Sequence, residues 1–406
     1  MEKCFIIIPL TVACDETERE NEIRSLCKTA GADVLACEKC KITRITPATY
    51  LGSGKLEEFK NYCEAAEIEI VVFDGELTPS QTLNMSDALG GVKVIDRTTL
   101  ILDIFAASAK STEGKIQVEL AQLKYIYPRL KGKGAALSRL GGGIGTRGPG
   151  ESKLETDRRH IRRRIDFLEK QLEQTEKRRN LQRVRRERSG ALTVALVGYT
   201  NTGKSTLLNA LTGSNVLSED KLFATLDPTM RKLDLGKFTI VLADTVGFIK
   251  DIPTALVEAF KSTLETAVSA DLDLIVCDAQ GDFVTQKATT EEMLDELGAT
   301  APRLLVMNKC ENVTDFSVYP VNATFVSAKF DKGLDGLLAK IRSVFEDRFT
   351  ELEFTAPYSE IEKIMRAKKY CEFFDVEYLD EKLAVTVIIK NENREKAAKI
   401  ISEYLN

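Results

Sequence analysis

"GYTNTGKST", residues 198–206, places glycine at 198 and 203, lysine at 204 and a hydroxyl at 205, the G-x-x-x-x-G-K-S/T spacing of a phosphate loop. It directly follows the apolar run "VALV" and opens a helical stretch, the strand–loop–helix context that this motif requires. Gly198 and Gly203 let the backbone wrap a β-phosphate with its N–H groups turned inward. Tyr199, Thr200, Asn201 and Thr202 complete the wrap. Lys204 is expected to reach the β- and γ-phosphates, and Ser205, followed by Thr206, offers a hydroxyl to Mg2+. The reading is an α/β P-loop nucleotide domain.

Further elements follow in the order such a site needs. "KFTIVLADT" ends on Asp244, which can hold Mg2+ through water, and Gly247 of "DTVGF" can offer its N–H to a γ-phosphate. Between the two lies "FATLDPT", whose Thr225 is placed to cap Mg2+ when a triphosphate is present. "RLLVMNK" runs into "NKCE", 308–311, where a base reader belongs: Asn308 braces the loop and Lys309 covers the ring face. Glu311 stands where Asn-Lys-x-Asp has aspartate, yet it presents two acceptor oxygens to the N1–H and N2–H2 donors of guanine. The extra methylene moves its reach by about 1 Å and adds a rotamer, so selectivity for GTP over ATP is expected to loosen. Ser327, Ala328 and Lys329 of "VSAK" supply the companion loop, with the Ala328 N–H available to a guanine oxygen.

Around this domain the pattern changes. "ALTVALVG", "KFTIVLADT", "LDLIVCDA", "RLLVMNK" and "ATFVSAK" are near-continuous apolar runs separated by helical stretches, as a parallel sheet covered on both faces requires. Residues 1–112 alternate "CFIIIPL", "IEIVVFD" and "VKVID" with helical stretches at Lys55–Ala65 and Thr98–Ala107, a small α/β domain. Its "LGSGKLEEF" imitates a phosphate loop but lacks the spacing and the hydroxyl, and reads as a turn into a helix. Over 113–190, Ile116, Leu120, Leu123, Tyr127 and Leu130, then Ile161, Ile165, Leu168 and Leu172, form two narrow apolar stripes suited to an antiparallel helical hairpin. A glycine-rich basic loop joins them. The nucleotide domain is expected over 191–350, and 351–406, in the order helix, strand "FFDVEYL", strand "LAVTVIIK", helix, as a small α+β domain.

Composition narrows the classes. Of 406 residues, 43% are hydrophobic and 29% charged, enough to build several cores. No apolar run reaches the roughly 18 residues of a membrane span, and the N-terminus lacks a signal-peptide core. A cytoplasmic location is therefore expected, with peripheral membrane association as an alternative. Nine scattered cysteines suit a reducing compartment, and Cys37 and Cys40 form a lone CxxC without the four ligands of a zinc site. With His160 as the single histidine, a His-based triad is not the expected chemistry. Lys124–Gly190 carries 20 Lys/Arg against 8 Asp/Glu inside a chain of net charge -5, the distribution of a protein that meets a polyanion.

The chain resembles the HflX family of translational GTPases. The likeness rests on "KVIDRTTLILDIFAASAKSTEGKIQVELAQLKY", "RLGGGIGTRGPGESKLETDRRHIRRRI", "FATLDPT" and "DTVGFI", of which the middle stretches are absent from other GTPases. The resemblance implies GTP hydrolysis on the 50S subunit and 23S rRNA, and dissociation or rescue of stalled or idle ribosomes under stress. An assembly or hibernation switch that controls RNA binding without splitting is the alternative. It further implies that Gly141, Gly142, Arg147 and Gly148 lie in a loop pushed toward the peptidyl-transferase region, and that Arg158, Arg159, Arg162, Arg163 and Arg164 lie near rRNA. Phosphate contact by positive side chains fits this, with shape rather than sequence read, and without DNA or an integral membrane segment. A monomer is expected. Phe248 occupies the place of a water-positioning glutamine, so weak basal hydrolysis stimulated by the ribosome is expected. Asn201 also resembles the asparagine of phosphate loops that hold K+ beside the phosphates.

Overall fold

β1 (Lys3–Leu10) is buried along almost its whole length, the burial pattern of a central parallel strand. It pairs in parallel with β2 (Asp33–Lys41) and β3 (Ile70–Phe73), and β3 pairs with β4 (Lys93–Asp96), giving the order β2-β1-β3-β4. The helices α1 (Glu16–Thr29), α2 (Ser53–Ala66), α3 (Pro79–Ala88) and α4 (Arg97–Ser108) cross between them. α2 begins at the phosphate-loop look-alike: Gly52 is its N-cap, and Lys55 ion-pairs with Glu58 at 2.9 Å as a surface residue does. The computed structural model describes the chain except residues 11–15, 130–148, 189–191, 214–221, 224–228, 237, 251–263 and 402–406.

The chain divides into two compact units. The first comprises Met1–Val184 with Glu219–Pro228 and Val246–Glu265; the second comprises Arg185–Ser218, Thr229–Thr245 and Thr266–Asn406. In the first, α5 (Thr112–Arg129) and α6 (Pro149–Arg188) run antiparallel. Glu113, at the start of α5, meets Arg179 at 3.1 Å in the later part of α6, whereas Glu119 meets Arg164 at 2.7 Å and Lys124 meets Glu169 at 2.7 Å in its earlier part. The expected stripe on α5 is only part of its apolar surface. Gln117, Val118 and Ala121 are also buried, because α5 packs against α4 as well as α6. Also inside this unit, the buried Arg97 bonds Asp74 at 2.8 Å and donates to the Lys250 carbonyl at 3.0 Å.

In the second unit six strands take the order β10-β9-β8-β5-β7-β6, with β5 (Leu192–Val197), β6 (Thr229–Asp234), β7 (Thr239–Asp244), β8 (Leu272–Asp278), β9 (Arg303–Asn308) and β10 (Thr324–Phe325). All neighbours are parallel except β6, which folds back on β7 as an antiparallel edge. α7 (Lys204–Thr212), α8 (Phe283–Glu296) and α9 (Leu334–Glu346) cover the sheet. From the strands, Val194, Leu196, Leu242, Leu274 and Val276 share a core with Leu207, Leu337, Ile341 and Phe345 of the helices. A second, antiparallel sheet in this unit has the order β11-β13-β12, built from β11 (Phe349–Ala356), β12 (Cys371–Tyr378) and β13 (Leu383–Lys390). β11 adds a strand to the expected helix–strand–strand–helix order and begins before residue 351. α10 (Ile361–Met365) and α11 (Arg394–Ile401) complete it. Among the described residues, no helix is long and apolar enough to cross a membrane.

Candidate nucleotide site

Parallel strands deliver their loops to one edge of a sheet, and ligands of open α/β sheets bind outside the carboxyl ends of the strands. β5 ends at Val197 and the phosphate loop begins at Gly198, whose φ is +152°. A Cβ on Gly198 would stand 2.2 Å from the Val276 carbonyl on β8, so no other residue fits the loop this close to the sheet. Gly203, at φ +88°, starts α7, and a Cβ there would stand 2.4 Å from Asn308 Nδ2.

Lys204 is buried, and its ammonium donates to the Gly198 and Tyr199 carbonyls at 3.1 and 2.8 Å. Burial brings its pKa down to about 8, a fall that the Asp244 carboxylate partly opposes. The Thr202 hydroxyl bonds the Tyr199 carbonyl at 3.0 Å. Thr200 and Thr202 are buried, Asn201 is exposed with φ +60°, and Thr206 lies in the first turn of α7.

The Ser205 hydroxyl donates to Asp244 Oδ2 at 2.5 Å, and Asp244 ends β7 fully buried. A serine hydroxyl and a carboxylate converging in this way are the oxygen donors that a hard divalent cation takes, so these residues fit Mg2+. The Thr245 hydroxyl donates to the Leu196 carbonyl at 2.7 Å and ties this end of β7 to β5. Gly247 and Phe248 follow in the Val246–Glu265 segment of the first unit, both buried. Thr225 lies outside the described residues.

The end of the site expected to read the base is braced by bonds among its loops. Asn308, the last residue of β9, donates to the Thr202 carbonyl at 2.8 Å and accepts from the Ala328 N–H at 3.0 Å. It thereby joins the phosphate loop to the "VSAK" loop. Lys309 donates to the Asn201 carbonyl at 2.8 Å and meets Asp278 Oδ2 at 2.7 Å. Glu311 accepts from the buried Ser327 hydroxyl at 2.7 Å. Partial burial pushes the Glu311 carboxyl up, but the Ser327 hydroxyl, its own backbone N–H and the Lys329 and Lys309 ammoniums outweigh it and leave the group below the usual range. Lys329 itself points to solvent, its ammonium 5.6 Å from the Phe330 ring.

Two residues of this end escaped the sequence reading, Asp278 and Gln280. The signal was their position: Asp278 ends β8 and pairs in register with Asn308.

On α6, Arg159, Arg162 and Arg163 are exposed, while Arg158 sits 5.3 Å from the Tyr127 ring centre. Arg164 holds Glu119 with two bonds, 2.7 and 2.8 Å, so its charge is already engaged within the hairpin. Gly141, Gly142, Arg147 and Gly148 lie outside the described residues.

Three family models match the chain: "GTP-binding GTPase N-terminal" over residues 17–106, "GTP-binding GTPase Middle Region" over 108–186 and "50S ribosome-binding GTPase" over 193–309. The chain is 49% identical over 398 residues to the GTPase HflX of Caldanaerobacter subterraneus subsp. tengcongensis, covering 96% of this chain and 92% of that one. It is 43% identical over 401 residues to the GTPase HflX of Lacrimispora saccharolytica, with 97% and 95% covered. Among solved structures, a GTP-binding protein from Sulfolobus solfataricus in complex with GDP is 26% identical, covers 85% of this chain and 98% of its own, and has a TM-score of 0.45.

Proposed function

The chain belongs to the HflX family of GTPases, and from that membership we propose how its own residues work in a ribosome-associated GTP hydrolase. The reading is a GTP cycle on the 50S subunit that promotes dissociation or rescue of stalled or idle ribosomes. The observation that carries it is the meeting of Lys204, Ser205, Asp244, Asn308 and Ser327 at the carboxyl ends of parallel strands, in bonding contact with one another through the loops they serve.

In this reading Gly198–Thr206 wraps the phosphates, and Lys204 exchanges its two carbonyl partners for phosphate oxygens. Ser205 and Asp244 hold Mg2+, with Thr225 added in the triphosphate state. Mg2+, when bound, supplies positive charge at the β- and γ-phosphates. Gly247 keeps, from its place in "DTVGF", the role of offering its N–H to the γ-phosphate. Asn308, Lys309, Glu311, Ser327, Ala328 and Lys329 surround the guanine.

Phe248 is 1% exposed and carries no hydrogen-bonding atom in its side chain, so it does not orient the attacking water. That task falls to backbone, to another side chain or to the ribosome, and hydrolysis is weak until the partner is present. K+ beside Asn201 would add the positive charge that an arginine finger gives elsewhere. The exposed arginines of α6 contact 23S rRNA phosphates, and the loop carrying Gly141, Gly142, Arg147 and Gly148 reaches toward the peptidyl-transferase region. The protein acts as a cytoplasmic monomer.

The test is GTP hydrolysis with and without 50S subunits, in K+ and then in Na+, beside sedimentation of 70S particles. Stimulation by 50S with release of free subunits is expected. Stimulation without subunit release would favour the assembly or hibernation switch. Equal rates in K+ and Na+ would remove K+ from the account.

A further inference from the structure

We propose that Asp278 and Gln280, at the end of β8, are positioning residues for guanine recognition that hold Lys309 stretched across the site before nucleotide arrives. This rests on the reading of "NKCE" as the guanine loop. Lys309 adopts φ +60°, a left-handed conformation unfavourable for a lysine, so neighbouring bonds must hold it there. Both its main chain and its side chain are held from the same turn. Gln280 Nε2 donates to the Lys309 carbonyl at 2.7 Å, and Asp278 Oδ2 takes the ammonium at 2.7 Å. The other side of that ammonium donates to the Asn201 carbonyl in the phosphate loop at 2.8 Å. The lysine stem is therefore fixed at both ends, one in the base loop and one at the phosphate loop.

The turn that does this is itself firmly made. The Gln280 N–H bonds Asp278 Oδ1 at 2.9 Å, and the Ala279 N–H bonds the Asn308 carbonyl at 2.8 Å. Gln286 on α8 accepts from the Asp278 N–H at 2.8 Å, and the Tyr319 hydroxyl bonds the Ala279 carbonyl at 2.6 Å. β8 and β9 set Asp278 directly beside Asn308, so the turn moves with the base-reading strand. A free lysine must surrender its rotamers when a base slides beneath it. One already clamped has lost them on folding, and nucleotide binding no longer carries that entropy cost.

The charge on Asp278 is the separable part. In Asp278→Asn the amide oxygen can still accept the Gln280 N–H, so the turn survives, but the other side now offers N–H groups to an ammonium. Gln280→Ala removes the bond to the Lys309 carbonyl at an exposed position, where folding is not at stake.

The experiment measures release of a fluorescent GDP, competition by GDP, IDP and ADP, and the kcat and KM of hydrolysis, with thermal midpoints as control. Asp278→Asn is expected to speed GDP release and raise KM by about tenfold with kcat at saturating GTP within about twofold, since uniform binding is lost. Gln280→Ala should do the same by about threefold, and Asp278→Glu should recover most of the loss. Unchanged release in both Asp278→Asn and Gln280→Ala overturns the proposal, as does a fall in kcat with KM intact. A wild-type protein showing no preference for GDP over ADP would instead overturn the guanine reading beneath it.

Discussion

At Ser327 a buried hydroxyl fixes how Glu311 can sit, because its 2.7 Å bond leaves the longer side chain one anchored rotamer. That bond opposes the looseness expected of glutamate in place of aspartate, and nucleotide selectivity is where the two would show. We expect Ser327→Ala to weaken GDP binding by about 3–10-fold and to narrow the preference for GDP over ADP, a change on the order of 1 kcal/mol. Equilibrium titration of both nucleotides measures it. Asp273 presents the opposite case. It is 0% exposed on β8, and neither carboxylate oxygen has a hydrogen-bond partner among the described residues. Burial pushes its pKa up to about 7, against a weaker downward pull from Arg303. Because an unfolded aspartate releases its proton at about 3.9, the folded chain holds the extra proton between about pH 4 and 7. Stability from this group is complete below that window and is lost as pH rises through 7. Asp273→Asn should therefore be near neutral at about pH 4 and stabilising at about pH 8, by on the order of 2–4 kcal/mol, read from urea unfolding at the two pH values. An equal effect at both would mean that the carboxyl does not titrate in this window.

Elements differ in how openly the sequence declares them. β1, β5, β8 and β9 are buried on both faces and spell themselves as apolar runs, and the phosphate loop fixes its own strand and helix. β2, "DVLACEKCK", β6, "TMRKLD", and β11, "FTELEFTA", are edge strands with one wet face, and their alternation is diluted by charge. They become strands because a neighbour offers them a ladder, which is information carried elsewhere in the chain. The same applies to the site. Asn308, Lys204 and Ser205 were visible as motif, whereas Asp278 reaches Lys309 only through the pairing of β8 with β9. In the hairpin, Leu168 is 0% exposed on a helix otherwise rich in charge. Leu168→Ala should cost about 2–4 kcal/mol by loss of burial and a residual cavity, measurable by thermal or denaturant unfolding. Replacing Arg159, Arg162 and Arg163 together by glutamine should leave the thermal midpoint nearly unmoved, since all three are exposed. It should also flatten the salt dependence of 50S binding by about three phosphate contacts.

For the whole molecule, the C-terminal sheet is joined to the nucleotide sheet by a small aromatic seam within one unit. Phe349 stacks on Phe238 at 4.6 Å and 18°, and Arg348 pairs with Asp271 at 2.8 Å. No residue of the described nucleotide site comes from beyond Phe349. Ending the chain after Arg348 should therefore keep GDP affinity within about threefold while lowering the thermal midpoint by several degrees, because Phe238 loses its cover. Calorimetry and a nucleotide titration on the same sample would separate the two effects. The acidic whole and its basic middle also sort contacts by charge: the arm is drawn to phosphate, and the rest is repelled by it. The length of α6 has an electrostatic consequence as well. Its 40 residues make a rod about 60 Å long. A rod of that length sets charges at its two ends several Debye lengths apart, so at physiological salt a charge changed at one end goes unfelt at the other.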